Sequence, residues 1–206
     1  MVDNFDRIRE LIDFESDSGL FCHCQVVTRA KDWKPLVKVR EHIAFSYFIR
    51  GRDHLDRYRR GITALCEGLG ARAYINLSPK SFSKLQLDLI GRLGEQIASK
   101  NVVDPKKTVN SAAGKLKPEV SKWVIDIDRL VDKPEVIKWL DSQFRVTSPE
   151  ERDYLYAEMP TPGGVHLITK PFNSKAFQEE FPTIDLHKNS MGTVLYFPQS
   201  LSENGI

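Results

Sequence analysis

Apolar residues recur three and four positions apart in some stretches of the chain and crowd into short runs in others, and this pattern predicts its elements. Phe5, Ile8, Leu11 and Ile12 fall on one face of a short helix over residues 4–13. Residues 21–27 and 42–49 read as strands, separated by the turn-prone segment 32–35. Residues 54–69 read as a helix ending at Gly68 and Gly70, residues 71–77 as a strand, and Ser78-Pro79 as the opening of a helix over 81–99. The N-terminal half therefore runs α-β-β-α-β-α. Residues 101–121 have no clear periodicity and hold Pro105, Pro118, Gly114 and four lysines, Lys106, Lys107, Lys115 and Lys117, which predicts a basic connecting loop. Beyond it come a buried strand at 122–128, a helix at 134–144, and strands at 154–159 and 165–169 joined by a turn at 160–164. A helix at 174–180 and a β-branched, aromatic strand at 193–197 complete a β-α-β-β-α-β half. The expected organisation is an α/β lobe over residues 1–100, the connecting loop over 101–121, and a second lobe over 122–206, with no internal repeat.

Composition adds little to this. With 206 residues, 41% hydrophobic and 28% charged, the chain has the material for one domain, or one two-lobed domain, with a real core. No run reaches transmembrane length, and Met1-Val2-Asp3-Asn4 lacks the layout of a signal peptide, so a cytoplasmic location with no membrane partner is expected. Cys22, Cys24 and Cys66 do not suggest a disulfide framework.

Net charge is only +2, but it is unevenly spread. Between Arg29 and Arg60, ten cations (Arg29, Lys31, Lys34, Lys38, Arg40, Arg50, Arg52, Arg57, Arg59 and Arg60) face Asp32, Glu41, Asp53 and Asp56. This stretch is either a phosphate-tracking surface or an ordinary solvated one. Arg57 and Arg60, with Lys106, Lys107, Lys115 and Lys117, are the candidate nucleic-acid contacts. Trp33, Tyr47, Phe48 and Tyr58, interleaved with the basic residues, either stack bases or belong to the core.

The chemistry concentrates in three C-terminal segments. Trp123-Val124-Ile125-Asp126-Ile127-Asp128 is a D-x-D on a strand, which puts both carboxylates on one face. Hydrated Mg²⁺ or Mn²⁺ could bridge them, and a third carboxylate from another strand would complete a two-metal site for phosphoryl transfer. The structural alternative has Asp128 capping a turn at the exposed strand end. Thr161-Pro162-Gly163-Gly164-Val165-His166 places a lone histidine after a glycine pair, where it could hold a nucleotide phosphate or serve the fold. Ile184-Asp185, followed by Lys188, offers the third carboxylate.

In this order the three segments resemble the motifs of the archaeo-eukaryotic primase superfamily, the primase-polymerases, in a small phage- or mobile-element-type form. The resemblance implies a two-lobed α+β fold: a small N-terminal α/β lobe and an RRM-like C-terminal catalytic lobe with a mostly antiparallel sheet. It implies Asp126, Asp128 and Asp185 as catalytic metal ligands for Mg²⁺ or Mn²⁺, and Gly164-Val165-His166 as the phosphate-contacting motif. The partners implied are a nucleoside triphosphate, a DNA or RNA strand, and separately supplied replication proteins. The chain departs from the pattern twice. Gly164 stands where serine is usual, and Thr193-Val194 stand where an arginine is common; Lys170 and Lys188 are candidates to supply that charge. Arg72-Ala73-Tyr74-Ile75-Asn76-Leu77 is similar to segments of phage-type proteins of no assigned function. The expected activity is template-associated nucleotidyl transfer; the alternative is an inactive primase-like module that holds nucleic acid or nucleotide.

Other chemistries find no complete motif. In Cys22-His23-Cys24 only the two cysteines share a strand face, which disfavours zinc. His166-Leu167-Ile168-Thr169 and His187-Lys188-Asn189-Ser190 each miss a two-histidine phosphoesterase motif by one position, and there is neither a phosphate-binding P-loop nor a nucleophile elbow.

Overall fold

The computed structural model describes residues 1–29, 42–100, 104–128, 133–199 and 201. The turn expected at 32–35, and Lys31, Trp33, Lys34, Lys38 and Arg40, lie outside the described residues. In chain order the elements are β1 (Val2–Asp3), α1 (Phe5–Leu11), β2 (Leu20–Thr28), β3 (His42–Ile49), α2 (Arg52–Leu69), β4 (Arg72–Ser81), α3 (Phe82–Ala98), α4 (Pro105–Lys115), β5 (Trp123–Asp128), α5 (Lys133–Phe144), β6 (Leu155–Pro160), β7 (Gly164–Thr169), α6 (Ser174–Glu180), β8 (Asp185–His187) and β9 (Thr193–Phe197). This is an α+β fold with two antiparallel sheets, ordered β1-β9-β4-β2-β3 and β6-β7-β5-β8.

Alternation along the first sheet decides what each face meets. Cys22, Cys24 and Val26 of β2, with Ala73, Ile75 and Leu77 of β4, are buried in one core with Ile8 of α1 and Leu55, Ile62 and Cys66 of α2. Near the start of β2 the opposite face packs Phe21 on Leu85 of α3 and on Ala112 and Ala113 of α4. α2 ends where Gly70 takes a left-handed φ of 54° and its N–H bonds the Cys66 carbonyl, a conformation that glycine adopts without a Cβ penalty.

The second sheet carries β5-α5-β6-β7-α6-β8 in the spatial order second-third-first-fourth, the split β-α-β arrangement. Its outer face buries Ile125, Ile127 and Leu167 against Val136 and Leu140 of α5 and Phe177 of α6. Its inner face turns toward the first sheet, and there Val124, Met159 and Ile168 join the first core. The two sheets are also tied through backbone groups. The buried Ser78 hydroxyl accepts from the Lys122 N–H at 2.9 Å and donates to the Lys122 carbonyl at 3.0 Å. Asn4 Nδ2 donates to the carbonyls of Pro160 and Val194.

Three expectations are corrected. The segment read as a basic loop contains α4: Asp104 caps it by accepting from Lys107 N–H, Pro105 fills its first turn, and Thr108, Ala112 and Ala113 form its buried face. Ser78-Pro79 does not open a helix. β4 runs through to Ser81, and Pro79 is tolerated where the pairing with β2 slips between Phe21 and His23. The fourth strand of the second sheet is the three-residue β8; Thr193–Phe197 instead pairs with β1 and β4. Every residue of β9 is buried, as suits a strand inside the first sheet rather than at an edge.

Candidate functional site

A cleft of about 680 Å³ lies between the two sheets. From the second sheet it is lined by Asp126, Asp128, His166 and His187, together with Thr161, Pro162 and Gly163 of the β6–β7 turn. Gln25, Val27, Arg29, Arg72 and Tyr74 line it from the first sheet, with His42 and Ile43 of β3. Ser190, Met191 and Gly192, in the connection that carries the chain from β8 back to β9, also line it.

Strand register brings the sequence-predicted residues together. Asp126 on the central strand β5 pairs with His166 of β7 on one side and with Asp185 of β8 on the other. Residues directly opposite on antiparallel strands project from the same face, so all three share the inner face with Asp128 two residues on. His166 Nε2 lies 3.1 Å from Asp126 Oδ1, with the histidine side chain 5% exposed and the aspartate 35%. His166 Nδ1 is buried with no hydrogen-bond partner among the described residues, a state that native structures rarely leave without a use. Asp185 shares the face but is exposed and is not among the residues that line the cleft.

The turn before His166 is built for close approach. Thr161 N–H donates to the Gly164 carbonyl at 3.1 Å, and Gly164 N–H donates to Thr161 Oγ1 at 2.9 Å. A Cβ on Gly164 would run into the Ile127 carbonyl oxygen and sit 3.0 Å from Asp128 Cα. Serine therefore cannot stand here without moving β5. A Cβ on Gly163 would lie 3.3 Å from Asp128 Oδ1, at the cleft wall.

Lys170 and Lys188 are not brought to the cleft lining. Lys170 Nζ is held 2.7 Å from Asp153 Oδ2, which raises its pKa. Lys188 follows His187 and so points to the opposite face, where its Nζ donates to Ser174 Oγ at 2.7 Å and lies 5.2 Å from the centre of the Trp123 ring. The cations lining the cleft are Arg29, from the basic stretch weighed above as a phosphate-tracking surface, and Arg72, to which sequence reasoning assigned no role. Arg72 is 6% exposed with its guanidinium 4.5 Å from the centre of the Phe197 ring, and Arg29 Nη1 donates to Tyr74 Oη at 3.2 Å. His42 and His187 were missed as well. One signal was present: in Arg72-Ala73-Tyr74-Ile75-Asn76 the polar residues alternate with apolar ones, which gives that strand a polar face.

The candidate nucleic-acid contacts are scattered. Arg57 and Arg60 are exposed on α2, on the far side of the first sheet from the cleft. Lys106 Nζ donates to the Ile43 and Ala44 carbonyls of β3. Lys107, Lys115 and Lys117 are exposed; the last two flank Leu116, whose carbonyl accepts from Asn189 Nδ2 in the connection beside the cleft. The buried thiol of Cys22 is pushed up to about 12 by desolvation, and His23 points to the opposite face from Cys22 and Cys24.

The donor chemistry of three carboxylates on one face fits a hard divalent cation. Among the described residues, however, no three His, Cys, Asp or Glu side chains are gathered closely enough to hold an ion as they stand. Among those residues, too, no helix is long and apolar enough to cross a membrane. Comparison with known proteins places the chain beside none of them: no family model, no curated protein and no solved structure matches it.

Proposed function

We propose that the chain is a nucleotidyltransferase of the primase-polymerase type, transferring a nucleoside monophosphate from its triphosphate to the 3′-hydroxyl of a DNA or RNA strand, with release of pyrophosphate, in the cleft between its sheets. One observation carries this reading. Three motifs taken together for their resemblance to the family's pattern fall on adjacent strands, with Asp126 directly between His166 and Asp185. The second sheet's β-α-β-β-α-β order supports it, being the arrangement the resemblance implies for a catalytic lobe.

In this reading Asp126 and Asp128, with Asp185 from β8, hold Mg²⁺ or Mn²⁺. An ion held there would supply Lewis-acid stabilisation of the charge on the transferring phosphoryl group and would acidify the attacking hydroxyl. Asp126 also holds the His166 ring through Nε2, so that the histidine is fixed before a phosphate arrives. Arg72 and Arg29, on the opposing wall, add positive charge where the polyphosphate lies, in the role first considered for Lys170 and Lys188. Gly163 lets a ligand approach the turn without meeting a Cβ, while Gly164 lets the turn close against β5.

A second reading, a module that binds nucleotide or nucleic acid without turnover, is favoured by the position of Asp185 outside the cleft lining and by the open carboxylate set. Calorimetric titration of a nucleoside triphosphate with Mn²⁺ tests both readings. Binding that needs Mn²⁺ and is lost in Asp126→Asn/Asp128→Asn supports the transferase. Binding that is indifferent to Mn²⁺ supports the module, and no binding at all rejects the transferase and leaves the module only a nucleic-acid ligand.

A further inference from the structure

The helix α3 is amphipathic in reverse of need. Its inner side packs Leu85 and, in part, Leu89 against the first sheet and α4, as a surface helix should. Its outward side is also apolar. Leu87, Ile90 and Ile97 are 71%, 70% and 68% exposed, well above the other exposed large hydrophobics except Met1. At 3.6 residues per turn Ser83, Gln86, Leu87, Ile90, Gly91, Gly94, Ile97 and Ala98 share this outward side, and none is charged. The charged residues of α3, Lys84, Asp88, Arg92 and Glu95, lie along one flank.

The glycines add an independent point. A Cβ on Gly91 or Gly94 would meet nothing within 4 Å, so nothing in the single chain requires glycine there, although glycine inside a helix is costly. A second helix crossing closely over this face would give both a reason. The face also carries its own complement. An antiparallel two-fold pairing centred at the level of position 92 would bring Ile90 of each copy opposite Gly94 of the other and Leu87 opposite Ile97, a large side chain toward a gap at the centre. An uncharged face offers nothing to a nucleic-acid backbone or a charged lipid surface; it fits an equally uncharged helix.

We propose that α3 is a self-association surface, on which two copies of this chain pack their α3 helices antiparallel. A helix of 17 residues is about 25 Å long, so the contact falls at the small end of protein interfaces and gives a weak, concentration-dependent dimer. The cleft and its chemistry are not involved, so this inference stands or falls separately from the proposed activity.

Sedimentation velocity over a micromolar concentration series reads it out. The mass should rise from 23.6 kDa toward twice that value and stop there. Two variants should hold it at one chain throughout: Ile90→Arg, which places a charge on the face, and Gly94→Leu, which fills the gap. Gly94→Leu should also raise the single-chain Tm by about 2–4 °C, because it improves helix propensity without a clash. A folded variant that no longer associates cannot then be mistaken for an unfolded one. A wild-type mass of one chain at every concentration, a mass that climbs past two copies, or a dimer unchanged in both variants overturns the proposal.

Discussion

His166 and Asp126 face each other across β7 and β5, with Nε2 3.1 Å from Oδ1, and the histidine is nearly sealed while the aspartate is one-third open. The more buried partner is thus positioned by the one more open to the cleft that both line. A double-mutant cycle measures this. His166→Ala should cost about 2 kcal/mol, because it empties a buried site, and Asp126→Ala less. Their coupling should be about 1 kcal/mol. Additive losses, measured by urea unfolding, would mean that the contact holds nothing.

Gly164 is expected to be the least replaceable glycine of the turn. Gly164→Ala should destabilise the protein by about 3 kcal/mol, since the obstruction is backbone on β5 and cannot rotate away. Gly163→Ala meets only a carboxylate side chain and should cost less. Thermal unfolding of the two variants gives the order directly, and an equal loss would contradict it.

Acid should weaken the fold through His23. Desolvation, with Lys80 nearby, pushes its pKa down to about 4; its ring stacks on Phe48 at 5.2 Å and is 1% exposed. The unfolded chain takes up this proton near pH 6.5 and the folded chain only near 4. Between those values the unfolded state holds more protons, so stability falls as pH falls through the window, by up to about 3 kcal/mol. His23→Phe should flatten that part of the stability profile. If wild type and variant lose stability in parallel from pH 6.5 to 4, another group is responsible.

Ser78, in the first sheet, holds the start of the second through both polar groups of the Lys122 backbone. Ser78→Ala should cost about 1–3 kcal/mol, because a buried N–H and a carbonyl lose this partner together. Amide exchange should then speed up at Lys122 and along β5. Unchanged exchange there would show that the serine does not tie the sheets.

The sequence carried the second sheet's content well and its connectivity less well. D-x-D, Gly-x-His and Ile-Asp were legible because chemistry and period-two alternation act on a few neighbouring residues. Asp185–His187 was not, since three residues without a β-branched run give no strand signal, whereas Thr193–Phe197 gave a strong one and was placed in the wrong sheet. The helix at Pro105–Lys115 escaped because its buried side is made of Thr108, Ala112 and Ala113, which barely register as hydrophobic; the Asp104-Pro105 start signal was the readable clue. Half of the cleft was invisible for a different reason. Arg29, Arg72 and Tyr74 line the same cleft as Asp126 and His166 only through the packing of one sheet against another, which local pattern does not encode.

The most direct test of the central claim is primer extension. The protein is incubated with Mn²⁺, labelled nucleoside triphosphates and a primed template strand, beside Asp126→Asn/Asp128→Asn. The expected result is a product at least one nucleotide longer with the wild type and none with the double variant. No extension by the wild type on DNA or RNA primers, with Mg²⁺ or Mn²⁺, from a protein that binds the nucleotide equally well with and without those two carboxylates, would contradict it.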